Sequence, residues 1–279
     1  AAHHSYGVPA WCGRETHVVV SSYSGSTAET LSALRAAVES GASGCAVASG
    51  GPLLEEAEGA GWATLRVPGG AMPRYAIGHL TVGALLPLGA GPHHFVDRLD
   101  VGASVGSLRE RVTEWGPDVP GAENLAKDIA RRLQGALPVV WGGPGVTGVA
   151  AARWRSDLNE NAKVLAHSAV LPELDHNEIV GLGPDGSAGR PDVPIVLVCL
   201  RDVDEDPRVS ERFAATLEEV RAGVSDVVEV RPRGAGPLER FFDLAMLSGY
   251  VSVYLALARG VDPTTISSID RLKQSLSGS

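Results

Sequence analysis

At 279 residues and 28.9 kDa, with 44% hydrophobic residues, the chain can bury sizeable cores in one large domain or two small ones. The 33 acidic and 24 basic side chains give a net charge of −9, which excludes a basic phosphate-backbone groove and with it nucleic acid as the expected partner. The 34 glycines and 18 prolines exceed what a helical bundle carries and suit many strand-to-helix turns.

The first half alternates apolar runs with amphipathic helices. His17-Val18-Val19-Val20-Ser21 is β-branched and uninterrupted, as a buried parallel strand should be. It ends in Ser22-Tyr23-Ser24-Gly25-Ser26-Thr27, and a helix follows with Leu31, Leu34, Ala37 and Val38 on one face. Ser26 and Glu29 have the spacing of a capping box, and Gly41 is a plausible stop. A strand near 44–48, a helix near 53–60, a strand at 63–67 and a helix from about 73 to 88 complete the alternation, which predicts a parallel sheet covered on both faces.

Residues 89–120, with several glycines, His93-His94 and a small charged helix, break the rhythm and read as a connection between domains. A second alternation then predicts a helix at 122–133, a strand at 137–141, the turn Gly142-Gly143-Pro144-Gly145 and a long helix to about His167. A strand at 194–201, a helix at 209–222, a strand at 227–231 and helices at 238–258 and 264–276 follow, with an exposed loop at 183–194. The most apolar stretch, 244–258, is 15 residues long and bracketed by Asp243 and Arg259. It falls short of the roughly 20 residues of a membrane span and reads as a buried helix. Cys12, Cys45 and Cys199 form neither a disulfide framework nor a metal-spaced set, which fits a reducing, cytoplasmic setting. The start Ala1-Ala2-His3-His4 shows no signal peptide.

The chemistry concentrates at 22–27. Three hydroxyls and a run of backbone N–H groups meet at a helix amino end, where unpaired donors and the helix dipole favour an anion. Gly25 lets the backbone approach closely. By itself the turn reads equally as a Ser/Thr-rich helix cap.

Ser22-Tyr23-Ser24-Gly25-Ser26-Thr27-Ala28-Glu29-Thr30-Leu31 resembles the phosphosugar-binding signature of SIS (sugar isomerase) domains. Asn159-Glu160-Asn161-Ala162-Lys163, Leu171-Pro172-Glu173-Leu174-Asp175-His176-Asn177-Glu178-Ile179-Val180-Gly181 and Gly260-Val261-Asp262-Pro263-Thr264 with Leu272-Lys273 resemble the bifunctional phosphoglucose/phosphomannose isomerase family, in the family's order over most of the chain. The resemblance implies an α/β protein of two SIS subdomains, flavodoxin-like, each a doubly wound parallel sheet in three α-β-α layers, with domains at 1–118 and 119–279. It implies a homodimer with a shared active site and a metal-free, cofactor-free interconversion of glucose 6-phosphate, and of mannose 6-phosphate, with fructose 6-phosphate through a cis-enediolate.

Residue by residue, the resemblance gives Ser22, Ser24 and Thr27 the phosphate and makes Glu160 the base between C1 and C2. It has His176, from the partner subunit, help open the ring with Lys273 nearby, and has Arg74 stabilise the enediolate charge. Thr264 or Thr265 would leave room for either configuration at C2. These residue types suit the reaction: a positioned carboxylate for the proton, a permanently charged guanidinium for the oxyanion, and an imidazole for ring opening.

Singly, each has an ordinary reading. Glu160 can pair with Lys163 on a solvated helix face, His176 can be a surface histidine, and Arg74 can neutralise a neighbouring carboxylate. Together in family order they favour the site. His93-His94 lacks a metal-ligand pattern and reads as a loop pair. Gly142-Gly143-Pro144-Gly145 does not complete G-x-G-x-x-G and reads as a second-domain SIS turn. The family's glycine-rich G-x-G-G-S loop is not found before Ser22 and the chain has no initiator methionine, so an N-terminal strand and helix are expected to precede this sequence. The rival reading is a non-catalytic phosphosugar-binding module that senses or regulates. It would share the hydroxyl turn and differ at Glu160, His176 and Arg74. A third is isomerisation of a ketose phosphate of another chain length.

Overall fold

Short runs of β-branched and small apolar residues form two parallel sheets, each sandwiched between helices. The computed structural model describes residues 1–90, 101–189 and 192–277. The chain divides into two compact units, residues 1–99 and 100–279.

The first unit holds strands β1 (His17–Ser21), β2 (Ser43–Ala48) and β3 (Ala63–Arg66), parallel and in that order. Helices α1 (Ala28–Glu39) and α2 (Pro52–Gly59) form the crossovers, and a 3-10 turn at Pro73–Ala76 leads into α3 (Ile77–Ala90). Strand side chains alternate between faces, and the two cores follow from that period. Ala46 and Ala48 pack with Val20, Leu34, Leu53, Leu54 and Ala57 on one face. Val47 packs with Tyr23, Val67 and Ala76 on the other, against Leu80 of α3.

The second unit contains α4 (Val101–Trp115), α5 (Leu125–Arg132), β4 (Leu137–Gly142), α6 (Val146–Glu160), β5 (His167–Val170), a 3-10 turn at Glu173–His176 and α7 (Glu178–Leu182). It continues with β6 (Ile195–Leu200), α8 (Pro207–Val220), β7 (Asp226–Val230), α9 (Pro237–Ala258) and α10 (Ser267–Ser277). Its parallel sheet has the order β5-β4-β6-β7. Val139, Trp141, Leu197 and Cys199 face Phe213 of α8, while Val140, Val196, Val198 and Leu200 face Trp154 and Leu158 of α6 and Leu244, Leu247, Val251 and Leu255 of α9. Helices therefore cover both faces of both sheets.

The 22-residue α9 is apolar and long enough to cross a membrane, yet it packs against α4, α5 and α6 and buries polar groups that are satisfied within the unit. Asp243 is held by the buried Arg111 of α4, whose guanidinium also lies 4.9 Å from the Trp115 ring. Trp154 donates its indole N–H to the Leu244 carbonyl at 2.9 Å.

Two expectations change, and a third lies outside the described residues. Residues 101–115 form a 15-residue helix docked on α9, so the second unit begins at 100, ahead of the sequence boundary at 119. Residues 91–100, with His93-His94, lie outside the described residues. The long helix expected to reach His167 stops at Glu160, and the four-residue strand β5 follows. It stops because Asn161 turns inward to donate to Ser252 Oγ at 2.9 Å and Lys163 takes a left-handed backbone, φ 54°.

One buried carboxylate links α6 to α9. Asp157 is 1% exposed, accepts from Ser248 Oγ at 2.7 Å and pairs with Arg153 at 2.7 Å. Burial pushes its carboxyl above the ordinary value, opposed in part by Arg153 and the Ser248 hydroxyl and reinforced by the nearby Glu160 charge. With the folded value raised, this group's stabilisation is complete below the unfolded value and is lost as pH rises through the folded one. Asp157→Asn should therefore lose less stability than the wild type as pH rises from about 4 toward neutrality. Thermal unfolding of both proteins across that range checks this, and identical pH slopes would contradict it.

Candidate active site

The turn at 22–27 leaves β1 at the carboxyl edge of the first sheet and feeds α1. The capping box expected from Ser26 and Glu29 does not form. Thr27 is the N-cap residue and its side chain caps nothing. Ser26 instead directs both its N–H (3.3 Å) and its hydroxyl (3.0 Å) to Ser24 Oγ. The hydroxyls of Ser22 and Thr27 pair at 2.7 Å. Ser22 is buried and Ser24 and Thr27 are exposed. With no side-chain cap, the first-turn N–H groups of α1 remain available for an anion alongside these hydroxyls.

A second turn, after β2, supports the first. Ser49 donates to the Tyr23 carbonyl from its N–H (2.9 Å) and its hydroxyl (2.7 Å), and Leu53 N–H donates to the Gly25 carbonyl at 2.9 Å. The approach is so close that a Cβ on Gly25, at φ +67°, would lie 1.8 Å from the Gly50 carbonyl oxygen. Only glycine fits there.

Arg74 lies on the 3-10 turn before α3 in the same unit. It is 5% exposed, with its guanidinium 5.1 Å from the Tyr75 ring. Sequence reasoning missed Tyr23, which bonds Pro68 and Ala71 through its hydroxyl (3.1 and 2.9 Å) and so ties the 22–27 turn to the segment leading to Arg74. Gly25 and the Gly50-Gly51 pair were the available signal that two turns touch here.

Glu160, His176 and Lys273 belong to the second unit. Glu160 is the last residue of α6 and half-buried. Lys163, beyond the helix end, donates to the main-chain carbonyl of Glu160 at 2.6 Å and reaches the Pro263 carbonyl at 3.4 Å. This ties the carboxyl end of α6 to the segment preceding α10, which carries Lys273. In that segment Thr264 donates from both its N–H (2.8 Å) and its hydroxyl (2.6 Å) to Asp262, while the Thr265 hydroxyl reaches the Asp262 carbonyl at 3.3 Å.

His176 ends the 3-10 turn after β5 and is exposed. Its neighbours fix the backbone: Asp175 accepts from Thr216 (2.7 Å) and Arg212 (2.9 Å), and Asn177 caps Glu178 at 2.6 Å. Topology sets Glu160 and His176 at opposite ends of β5. Helix α6 runs back against the strands, so Glu160 ends level with the start of β5, whereas His176 follows the end of β5, which is aligned with Gly142 at the carboxyl edge. The length of the strand separates them.

A hydroxyl-lined turn on an uncapped helix end, within tandem units of helix-covered parallel sheet, defines a protein of the SIS phosphosugar class. The family model for the bacterial phospho-glucose isomerase C-terminal SIS domain matches residues 122–276. The chain is 38% identical to a bifunctional phosphoglucose/phosphomannose isomerase of Caldicellulosiruptor bescii over 97% of its own length and 79% of that protein. It is 31% identical to the protein of the same name from Aquifex aeolicus, over 97% of the chain and 79% of that protein. A glucose-6-phosphate isomerase like protein from Thermus thermophilus shares the fold, with a TM-score of 0.62, 21% identity and coverage of 97% of this chain and 90% of that one. The chain belongs to the bifunctional phosphoglucose/phosphomannose isomerase family.

Gly25→Ala tests the apposition of the two turns. Because the new methyl meets a main-chain oxygen at a left-handed position, the variant should lose about 2 kcal/mol or more of stability, read from urea unfolding, together with most sugar 6-phosphate binding. Wild-type stability and affinity would refute the close contact.

Proposed function

We propose that this chain interconverts glucose 6-phosphate and mannose 6-phosphate with fructose 6-phosphate, needs no metal, and acts as a homodimer whose sites combine residues of two chains. The observation that carries the reading is the hydroxyl turn at the uncapped amino end of α1, in a chain of this family. It offers a dianion neutral donors and a helix dipole, so no lysine is needed and the acidic overall charge is no obstacle.

With the phosphate on Ser22, Ser24 and Thr27, the Glu160 carboxylate takes the proton from C2 of the open-chain aldose. The C2–H electron pair forms the C1–C2 double bond, and the carbonyl pair moves to O1. The enediolate charge falls to the Arg74 guanidinium, which stays charged at any working pH. Glu160 returns the proton at C1 while the O2 hydroxyl proton passes to O1, leaving the ketose. His176 of the partner subunit opens the ring, assisted by Lys273. The separation of Glu160 from His176 along one chain's sheet supports the shared site. Removing C2–H erases the configuration at that carbon, so one enediolate serves both aldoses. The free thiols of Cys12, Cys45 and Cys199 fit a cytoplasmic setting, and burial pushes Cys199 up to about 12, where it is inert as a nucleophile.

A coupled assay with each aldose 6-phosphate in EDTA should show turnover of both. Binding without turnover would favour a sensing module instead. Glu160→Gln should lower turnover by roughly 10²-fold or more with binding retained. Mixing Glu160→Gln with His176→Ala after subunit exchange should restore up to about a quarter of wild-type activity, because half the dimers would then hold one intact site. Mixtures no more active than the separate variants would eliminate the shared site. Ser24→Ala with Thr27→Ala should weaken binding of any sugar 6-phosphate, read by calorimetry, and unchanged affinity would move the phosphate elsewhere.

A further inference from the structure

Tyr23 stands between the two serines assigned to the phosphate, yet its ring is 8% exposed and packs in the cluster of Val47, Val67 and Ala76. Its hydroxyl donates to the Pro68 carbonyl at 3.1 Å and accepts from the Ala71 N–H at 2.9 Å. Between these two partners lie Gly69 and Gly70, the latter at φ +90°, a pair that confers wide conformational freedom on an exposed loop. One phenol thus clamps the loop on both sides of its loosest point. The 3-10 turn that carries Arg74 begins two residues later, locked by Tyr75 N–H on the Met72 carbonyl at 2.9 Å, and its Ala76 joins the cluster that holds the Tyr23 ring. At its other end Tyr23 is fixed by the two Ser49 bonds to its carbonyl.

We propose that Tyr23 is a positioning residue: it transmits the seating of the phosphate turn to Arg74 and so sets the guanidinium against the charge that develops on the substrate. The inference rests on the role given to Arg74 above and adds to it the side chain that puts Arg74 in place. Groups aimed at developing charge lose effectiveness when displaced by a fraction of an ångström, so a loop clamp acts on the transition state and leaves ground-state phosphate binding alone.

Tyr23→Phe keeps the ring and deletes the hydroxyl. Two probes separate the effects. Glucitol 6-phosphate carries the phosphate without charge at C1 or C2, and arabinonate 5-phosphate places a carboxylate where the enediolate charge develops. Tyr23→Phe should bind the glucitol within about twofold of the wild type, bind the arabinonate about tenfold more weakly, and lose kcat by a similar factor with little change in KM. Arg74→Lys should show the same preferential loss, and the double variant should lose no more than Arg74→Lys alone, since both changes act through one group. Equal loss of both probes in Tyr23→Phe, or loss of neither while Arg74→Lys loses the arabinonate, would overturn the role of Tyr23 and leave the isomerase reading standing. An Arg74→Lys variant with wild-type affinity for the arabinonate would overturn the role of Arg74 itself, and this proposal with it.

Discussion

A crossover helix between two parallel strands must run back along the sheet, and that constraint governs where chemistry can be placed in this chain. A residue at the end of such a helix lies at the amino edge, and a residue following the next strand lies at the carboxyl edge. Glu160 and His176 occupy these two positions around β5. The strand thus sets the two residues at its opposite ends. On the proposed reading, in which both groups act on one substrate, they come from two copies of the chain.

A second constraint acts in the turn before α1, where the polar side chains satisfy one another. The hydroxyls of the 22–27 turn bond one another, Ser22 to Thr27 and Ser26 to Ser24, and the neighbouring Ser49 completes the turn through the Tyr23 carbonyl. The turn is therefore held in shape by its own hydrogen bonds. Gly25 and Gly51, both at positive φ, allow the two turns to touch along their backbones.

Much of the layered fold was legible from period alone: the runs at 17–21, 137–141 and 194–201 are strands because they are short, apolar and β-branched, and the helices between them carry one apolar face. The four-residue strand β5 escaped because its His167-Ser168-Ala169-Val170 has no run long enough to show a period, and what ends α6 is a tertiary bond from Asn161 to Ser252, 91 residues away. Helix α4 read as a connection because its anchor is the buried Arg111–Asp243 pair, which spans 132 positions. The capping box failed because Ser24, two residues back, offered Ser26 a nearer partner. At the site, residue types and motif order pointed to Ser22, Glu160 and His176, whereas Tyr23 was invisible: its phenol bonds residues 45 and 48 positions away, and no local pattern records that.

The two units also show how similar turns come to differ in chemistry. Strand β6 hands over to α8 through Arg201-Asp202-Val203-Asp204-Glu205-Asp206, the same kind of parallel-strand-to-helix passage that β1 makes to α1. There the helix end is closed. Asp206 accepts from the Arg208 N–H at 2.9 Å, and the Arg208 guanidinium holds its carboxyl down at about 2, so it is ionised throughout the neutral range. The nearby cations are occupied as well, Arg201 by Glu205 and Glu229, and Arg240 by Asp202 and Asp204. A helix end already satisfied by its own carboxylate, within a ring of further acids, disfavours an anion. The fold supplies a carboxyl edge and a helix amino end in both units, and the side chain at the cap position decides which of them can take an anion.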